Sequence, residues 1–554
     1  MASPRVVIIG AGAGGLTCGM ALRKLRHENF TIYEKAEDVG GTWRYNIYPG
    51  CSSDITMPFY CLSTELRNWT ASHLPQEEIL DYWVDLAKKY NIYPHAVFNT
   101  LVVSAEWNKV TNLYDVITQD TRTNATTHST AHIVISAVGI LERPRFSYIP
   151  GLQTFKGDLF HSGRWDTSVQ LSGKRVGVIG NGASATQFVP IISEDPTTQI
   201  VQFCRSANWV FPSLKKQYSG FRRGLFRFLP FFMYLTRWWQ FIKFEALYAS
   251  IFASPLLRWF MTKVTKKYML STAPKKYHQK LIPDYPMGCK RIIFDSNYLS
   301  ALHRPNLDLN YDGIDTIVED GILTKTGEHI QLDTLIFSTG YVTDSYPIAI
   351  KGRKGQTVQD YYDEQKGPKA YLGTCLPGFP NFFMIFGPNI TTGHTSVVWT
   401  NELQVNYIMQ LINPVLQKKV ISIEVTEKAT DDYDGMIQRR LSKSVFTQCH
   451  SWYRVGGTGK ITNAFPEPAR MFYLWFRRPN WNHYLGIGAD SWLKSQRLHQ
   501  RLRRVGQLAL LASVIFGVYN FRLHGIDAPL HMKATLKEWV DWTKDIVGAY
   551  LAKA

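Results

Sequence analysis

The sequence predicts an α/β protein with two Rossmann-like dinucleotide-binding domains, the second inserted in the first. A helical insertion and a C-terminal helical tail complete it. Three observations carry this expectation. A β-branched run, VVIIG (6–10), leads into the turn GAGAGG, then into LTCGMALRKLR with apolar residues at helical spacing, then into FTIYE (30–34). The same order recurs at RVGVIG (175–180), GNGASA, TQFVPIISE and TQIVQFCR (198–205). Finally, HIVISAVG (132–139), DTLIFSTGY (333–341) and NFFMIFGPN (381–389) are apolar runs that end at glycine, as where a chain leaves a parallel sheet beside a nucleotide. Material late in the chain is therefore expected to return to the first unit. The divisions read from this are 1–145 and 331–480 for the first domain and 146–330 for the second, with a helical insertion at about 215–280. The tail is 481–554.

Each glycine turn has a physical job. In the first, Gly10 permits the tight turn, Gly12 lets the backbone approach a pyrophosphate, and Gly15 lets helix and strand pack closely. Glu34 ends the second strand, where a carboxylate accepts hydrogen bonds from both ribose hydroxyls, so a ribose without a 2′-phosphate is expected, as in FAD or NAD. The second turn has Gly180, Gly182, Ser184 and Ala185, but its second strand ends in Arg205–Ser206. A cation and a hydroxyl there suit a 2′-phosphate, hence NADPH.

Composition narrows the classes. The chain has 554 residues and 45% hydrophobic residues, enough for several units with a sizeable core. Its seven cysteines (18, 51, 61, 204, 289, 375 and 449) include no CxxC, which argues against a zinc ribbon or dithiol centre; no metal is expected. They read as seven reduced thiols in a reducing compartment. No secretory signal precedes VVIIG, so a cytoplasmic location is expected and the Asn-x-Thr sequences at Asn68, Asn124 and Asn389 read as silent.

The net charge is +18, and residues 215–280 hold fourteen Lys or Arg against one acid, Glu245. Within them FRFLPFFMYLTRWWQFIKFEALYASIFASPLLRWF (226–260) mixes aromatics with cations. No nucleic-acid motif accompanies the charge, so nucleic acid is not expected as a partner. Two readings stay open: a helical insertion packed on the body with a solvated basic face, which is preferred, and interfacial helices on an intracellular membrane. VGQLALLASVIFGVYNF (505–521) follows a basic stretch and is equally open between a membrane-spanning helix and a buried C-terminal one.

Two motifs bring a family into view. GGTW (40–43), with Gly41, Thr42 and Trp43, resembles the flavin domains of two-dinucleotide flavoproteins, which favours FAD in the first domain. FKGDLFHSGRWD (155–166) places Phe155, Gly157, His161, Trp165 and Asp166 at the spacing F-x-G-x-x-x-H-x-x-x-W-(P/D). This resembles the fingerprint of the type I Baeyer–Villiger monooxygenases, relatives of the flavin-containing monooxygenases; in the sister N- and S-oxidising group the Trp position is typically Tyr or Phe. The resemblance runs to about residue 480 through SAVGILERPRFSYIPGL (136–152), YPMGCKRIIFDSNYLSALHRPNL (285–307), YLGTCLPGFPNFFMIFGPN (371–389, ending at Asn389) and CHSWYRVGGTGK (449–460). It also makes DTLIFSTGY a late flavin-domain strand.

The resemblance implies roles. Arg291 matches the arginine that stabilises the anionic oxidant and then the tetrahedral adduct. Lys290 matches the residue that helps Arg205 hold the NADPH phosphate, and Asp54 in YPGCSSD (48–54) matches the active-site aspartate. Ile47 and Ser53 depart from the family's Arg and Cys. His161 and Trp165 are implied to couple domain movement to the cofactor's oxidation state. The reaction implied is insertion of one atom of molecular oxygen next to the carbonyl of a ketone, read as a lipophilic one in secondary metabolism. The alternatives are oxygenation at N or S and a membrane-bound flavoprotein reductase.

Overall fold

The structure, a computed structural model, describes residues 3–524. Two five-stranded parallel sheets organise it. The chain enters through β1 (Val6–Ile9), every residue of which is buried, turns into α1 (Ala13–Lys24) and returns as β2 (Phe30–Tyr33). A two-residue edge, β3 (Ala96–Val97), and then β4 (Ile133–Ser136) follow. The linker 137–157 carries the chain into a second sheet: β5 (Asp158–His161), β6 (Arg175–Ile179), α2 (Ala185–Ile192) and β7 (Gln199–Phe203). That sheet is completed by β8 (Leu307–Asn310) and β9 (Thr334–Phe337), and the chain then returns to the first through β10 (Phe382–Met384). The strand orders are β10-β4-β1-β2-β3 and β8-β7-β6-β9-β5. Strands such as β1, β4 and β9 read as unbroken apolar runs because a parallel sheet is covered on both faces.

The second sheet is thus inserted in the first, and NFFMIFGPN returns to the first sheet through β10, which pairs with β4. DTLIFSTGY does not. Its strand β9 lies between β5 and β6, with Thr334 opposite both Asp158 and Val176, so the boundary expected at 330 falls after Phe337. A buried apolar strand ending at glycine looks the same in either sheet, and only the pairing distinguishes them. The outgoing and returning linkers lie side by side: Arg145 N–H donates to Gly340 O (2.8 Å) and Val342 N–H to Arg143 O (2.9 Å).

The insertion forms three helices, α3 (Gly220–Phe228), α4 (Phe231–Tyr248) and α5 (Pro255–Thr272), with a wide turn at Ala249–Ala253. The inner face of α4 packs Phe244 on Phe59 (5.1 Å between rings) and Phe241 on Trp399 (5.9 Å). Its outer face is aromatic, not the solvated basic face expected. Among the helices that follow are α6 (Ala469–Phe476) and α7 (Asp490–His524). Among the described residues, Asp490–Leu523 is the helix long and apolar enough to cross a membrane, and its apolar window is not buried against the rest of the chain. The buried alternative for 505–521 therefore falls; the rest of the tail, 525–554, lies outside the described residues.

One buried charge orients the insertion. Arg237 of α4, 8% exposed, donates to Pro58 O (3.0 Å) and Cys61 O (2.9 Å) and lies 3.6 Å from Glu402. Removing one partner strands the other charge, at a cost of about 3–5 kcal/mol. Arg237→Ala is expected to lower the thermal unfolding midpoint strongly, and the double variant R237M/E402Q to recover part of that loss.

Candidate active site

The first glycine turn is built to meet an anion. α1 begins at Gly12 with no side chain capping its first N–H groups, which leaves them for a pyrophosphate. A Cβ on Gly15 would run into the Gly10 carbonyl oxygen. Buried Glu34 is held beside the turn, its carboxylate accepting from Ala11 N–H (2.7 Å) and Ala36 N–H (2.9 Å). Gly41 has φ +55°, and a Cβ there would lie 2.7 Å from Gly12 Cα, so the two glycine motifs touch through bare backbone. Thr42 opens the turn of helix Thr42–Tyr45, and buried Trp43 sets its ring edge-on to Tyr60 at 5.7 Å.

The second turn faces open space: nothing lies within 4 Å of a Cβ placed on Gly182. Ser184 precedes α2 and buried Ala185 begins it. Asn181 donates to Ser206 O (2.9 Å), which fixes the turn to the end of β7. There Lys290 Nζ donates to Ser206 Oγ (2.8 Å) and lies 4.5 Å from the centre of the Tyr285 ring. Burial lowers the Lys290 pKa, and Arg205 lowers it further. His450 is also pushed down, by burial first and then by Arg205 and Lys290. Neither Arg205 nor Lys290 is in an ion pair among the described residues. Two mutually repelling cations, Arg205 and Lys290, with an imidazole near them, fit a phosphate dianion.

Between the turns lies the Asp54–Arg291 ion pair, both side chains about 30% exposed. Each partner arrives from a different part of the fold. Asp54 sits on a first-domain loop pinned to α2: Tyr48 OH donates to Gln187 Oε1 (2.9 Å) and Gln187 Nε2 donates to Ser52 O (3.1 Å). Arg291 sits on a strap across the second domain, where Trp209 Nε1–H donates to Tyr285 O (3.0 Å) and Ile293–Phe294 pairs in parallel with Val210–Phe211. Asp54, foremost, raises the Arg291 pKa still further above its ordinary value, with Tyr453 and Tyr60 adding to it; the guanidinium is a fixed positive charge. His73, near Asp54, is pushed down to about 4 by burial.

The expectation of seven reduced thiols fails here. Cys289 and Cys449 form a disulfide across 160 residues, while Cys18, Cys51, Cys61, Cys204 and Cys375 are free and buried. Spacing along the chain carries no sign of such a pair, because tertiary folding alone brings the two together. The bond ties the strap to the segment bearing His450 and Tyr453, which the motif reading passed over. Tyr60 carries no such sign either; an aromatic immediately before Cys61 has no signature of its own.

The fingerprint residues sit where the linkers meet. His161 ends β5; its Nδ1 accepts from Gly163 N–H (3.0 Å), Nε2 has no protein partner, and its ring lies edge-on to Phe146 (5.6 Å) and Tyr341 (5.8 Å). Burial pushes its pKa down to about 4, so it is neutral at pH 7. Tyr341 OH donates to Asn46 Oδ1 (2.7 Å) in the first domain. Trp165 stands edge-on to Phe160 (5.1 Å) and to Phe188 of α2 (5.2 Å). Phe155 packs in the core of the second sheet, against which Gly157 leaves no room for a Cβ, and Asp166 accepts from Ser168 N–H (2.9 Å) at the surface. Asn389 spends its carboxamide on Ile461 O (3.0 Å) and Ala464 O (2.9 Å), which holds β10 to the C-terminal segment. A small cavity of about 60 Å³ lies between the linkers beside Ser136 and Phe386; Asp54 and Arg291 are not in its walls.

Known proteins share this arrangement. The family model described as flavin-binding monooxygenase-like matches residues 3–351. The chain is 33% identical over 469 residues to a Baeyer–Villiger monooxygenase of Pseudomonas aeruginosa, spanning 83% of this chain and 87% of that protein. It is 32% identical over 529 residues to an FAD-binding monooxygenase of Aspergillus niger (92% and 86%). Among solved structures, OTEMO complexed with FAD and NADP superposes with a TM-score of 0.76 at 25% identity, over 88% of this chain and all of that one. An oxidised steroid monooxygenase bound to NADP superposes with 0.74 at 25% identity over the same shares.

Two expectations follow from the strap. Cys449→Ser, or reductant on the wild type, is expected to remove about 2–4 kcal/mol of stability, read as a lower midpoint in thermal melting of the holoenzyme. The His450 pKa is depressed in the free protein, so a bound phosphate that relieves the repulsion raises it, and binding takes up a proton. NADP⁺ affinity should therefore rise as the pH falls towards the ordinary histidine range, by at most about tenfold per unit. The 2′-phosphate titrates near pH 6 itself, so the quantity to measure is the difference between wild type and His450→Asn. Parallel profiles would remove His450 from the site.

Proposed function

The chain belongs to the flavin-binding monooxygenase-like family, and on that premise we propose that it is an FAD-dependent, NADPH-consuming Baeyer–Villiger monooxygenase. It inserts one atom of molecular oxygen next to a ketone carbonyl and gives an ester or lactone. The observation that carries this reading is the Arg291–Asp54 pair at the seam of two dinucleotide sites. The relatives named for this reaction favour it over N- or S-oxygenation and over a reductase.

FAD, when bound, supplies hydride acceptance from NADPH and the activation of oxygen. The chain's own residues do the rest. The Gly10–Gly15 turn and Glu34 hold a pyrophosphate and a ribose, with Gly41, Thr42 and Trp43 closing the turn. The Gly180–Ala185 turn receives the second pyrophosphate, and Arg205, Ser206, Lys290 and His450 hold the 2′-phosphate. Arg291 stabilises negative charge that develops on oxygen as the carbonyl is attacked; a preorganised cation in a site shielded from water costs no reorganisation then. Asp54 aims the guanidinium, and Tyr60, Trp43 and Tyr453 keep water out. His161 and Trp165 make the linkers respond to the occupancy of both sites.

The substrate is a lipophilic ketone, in keeping with the aromatic surroundings of the pair, and the setting is secondary metabolism. The protein works in the cytoplasm at the face of an intracellular membrane. Arg291→Ala is expected to lower kcat for ketone oxygenation by about 10²–10³ while FAD content stays at the wild-type level. Arg291→Lys should recover part of the loss and Asp54→Asn should fall between. The assay is product analysis on cyclic, aryl and steroidal ketones under NADPH. Esters absent from every ketone, with a thioether oxidised by the same preparation, would overturn the ketone reading.

A further inference from the structure

Helix α4 is built inside out. Its arginine, Arg237, points inward at 8% exposure, while the next two residues, Trp238 and Trp239, stand outward at 62% and 52%. Phe231, Tyr234 and Leu235 share that outer stripe at helical spacing. The neighbours repeat it: α3 exposes Phe221 and Phe228, and α5 exposes Leu256, Trp259 and Phe260. Single exposed hydrophobic residues are ordinary on a soluble protein, but a run of this size over three consecutive helices is not.

The charges around the stripe have one sign. Arg223, Arg227, Lys243, Lys263, Lys266 and Lys267 are exposed, and the one acid of 215–280, Glu245, is paired with Arg470 of α6. Lys243 lies 5.8 Å from the Trp239 ring and Lys263 5.6 Å from the Trp259 ring. In α5 the exposed rings of Trp259 and Phe260 are followed by exposed lysines at 263, 266 and 267. Aromatic rings capped by lysines are the pattern of helices lying in a headgroup layer.

We propose that the outer face of α3–α5 docks on the surface of an anionic lipid bilayer. Charge selects that occupant. A second copy of this chain would oppose cations to cations across the same face, whereas an anionic headgroup layer neutralises them. The face also sits over the reaction centre. At the turn between α4 and α5, Phe252 stacks on Phe446 (5.4 Å), which lies edge-on to Tyr453 (5.3 Å) beside Arg291, and Ile251 lies against Gly288 of the strap. Packed apolar side chains thus connect the helices that carry this face to the ion pair. The docking rests on the membrane location proposed above.

The test is co-sedimentation of the full-length holoenzyme with vesicles of phosphatidylcholine alone or mixed with phosphatidylserine, at low and high salt. The wild type should bind the mixed vesicles, and less at high salt. W238S/W239S/W259S, all exposed positions, should weaken that binding at least about tenfold with unchanged kcat on a water-soluble ketone. L511S/I515S, on the exposed face of α7, should retain the salt-sensitive part. Failure of the wild type to bind either vesicle would overturn the proposal, as would unchanged binding by the triple variant. Self-association abolished by the triple variant would also overturn it, by making a second copy the occupant. Vesicle binding by an enzyme that oxidises no ketone would leave the docking standing and remove the reaction.

Discussion

The Asp54–Arg291 pair is the constraint on which the rest of the molecule depends. A guanidinium useful to the reaction must be charged, fixed and only partly hydrated, and a half-buried arginine needs a counter-charge to stay where it is. Asp54 supplies that charge from the first domain, and Arg291 comes from a strap laid over the second. The pair can exist only if the two domains are held in register. Gln187 therefore reaches back from α2 to Tyr48 and Ser52, and the disulfide fixes the strap from its other side. The geometry of the pair and the packing of the domains are one set of contacts.

The linkers are under the same demand. They run beside each other, joined by backbone hydrogen bonds, and the fingerprint histidine is wedged between Phe146 and Tyr341 with one nitrogen left without a protein partner. A buried imidazole nitrogen without a partner costs free energy unless something else satisfies it. Trp165 meanwhile rests on Phe188 of the helix that follows the second glycine turn. The second glycine turn thus adjoins the linkers through one aromatic contact, and Tyr341 joins them to Asn46 in the first domain.

What the sequence made legible was whatever is encoded locally. The glycine turns, Glu34, the Arg205–Ser206 pair and the fingerprint each occupy a short window, and each stands where its spacing requires. Contacts set by tertiary packing left no such trace. β9 has the apolar run and terminal glycine of any buried parallel strand, so its membership of the second sheet had to come from its pairing. Cys289 and Cys449 are unremarkable apart and bonded together, and His450 gains its place near Lys290 through that bond. The outer face of α4 departs from the expectation because a count of cations does not say which way each helix face turns: Arg237, expected on a solvated basic face, is buried.

That inversion bears on how the site is closed. An arginine inside a helix–body interface is costly, and the same orientation leaves two tryptophans in water if water is what the helix faces. Two unfavourable placements in one helix are hard to maintain unless a medium offsets them, and an interface that takes up aromatic rings and lysine heads offsets the second. The first is offset by Glu402 and two backbone carbonyls at 58 and 61. These hold α4 so that its C-terminal turn, residues 249–253, lies against Gly288 and, through Phe446, near Tyr453. The buried arginine therefore acts at a distance: it sets the helix whose turn lies against Gly288 of the strap, and it turns the opposite face of that helix outward.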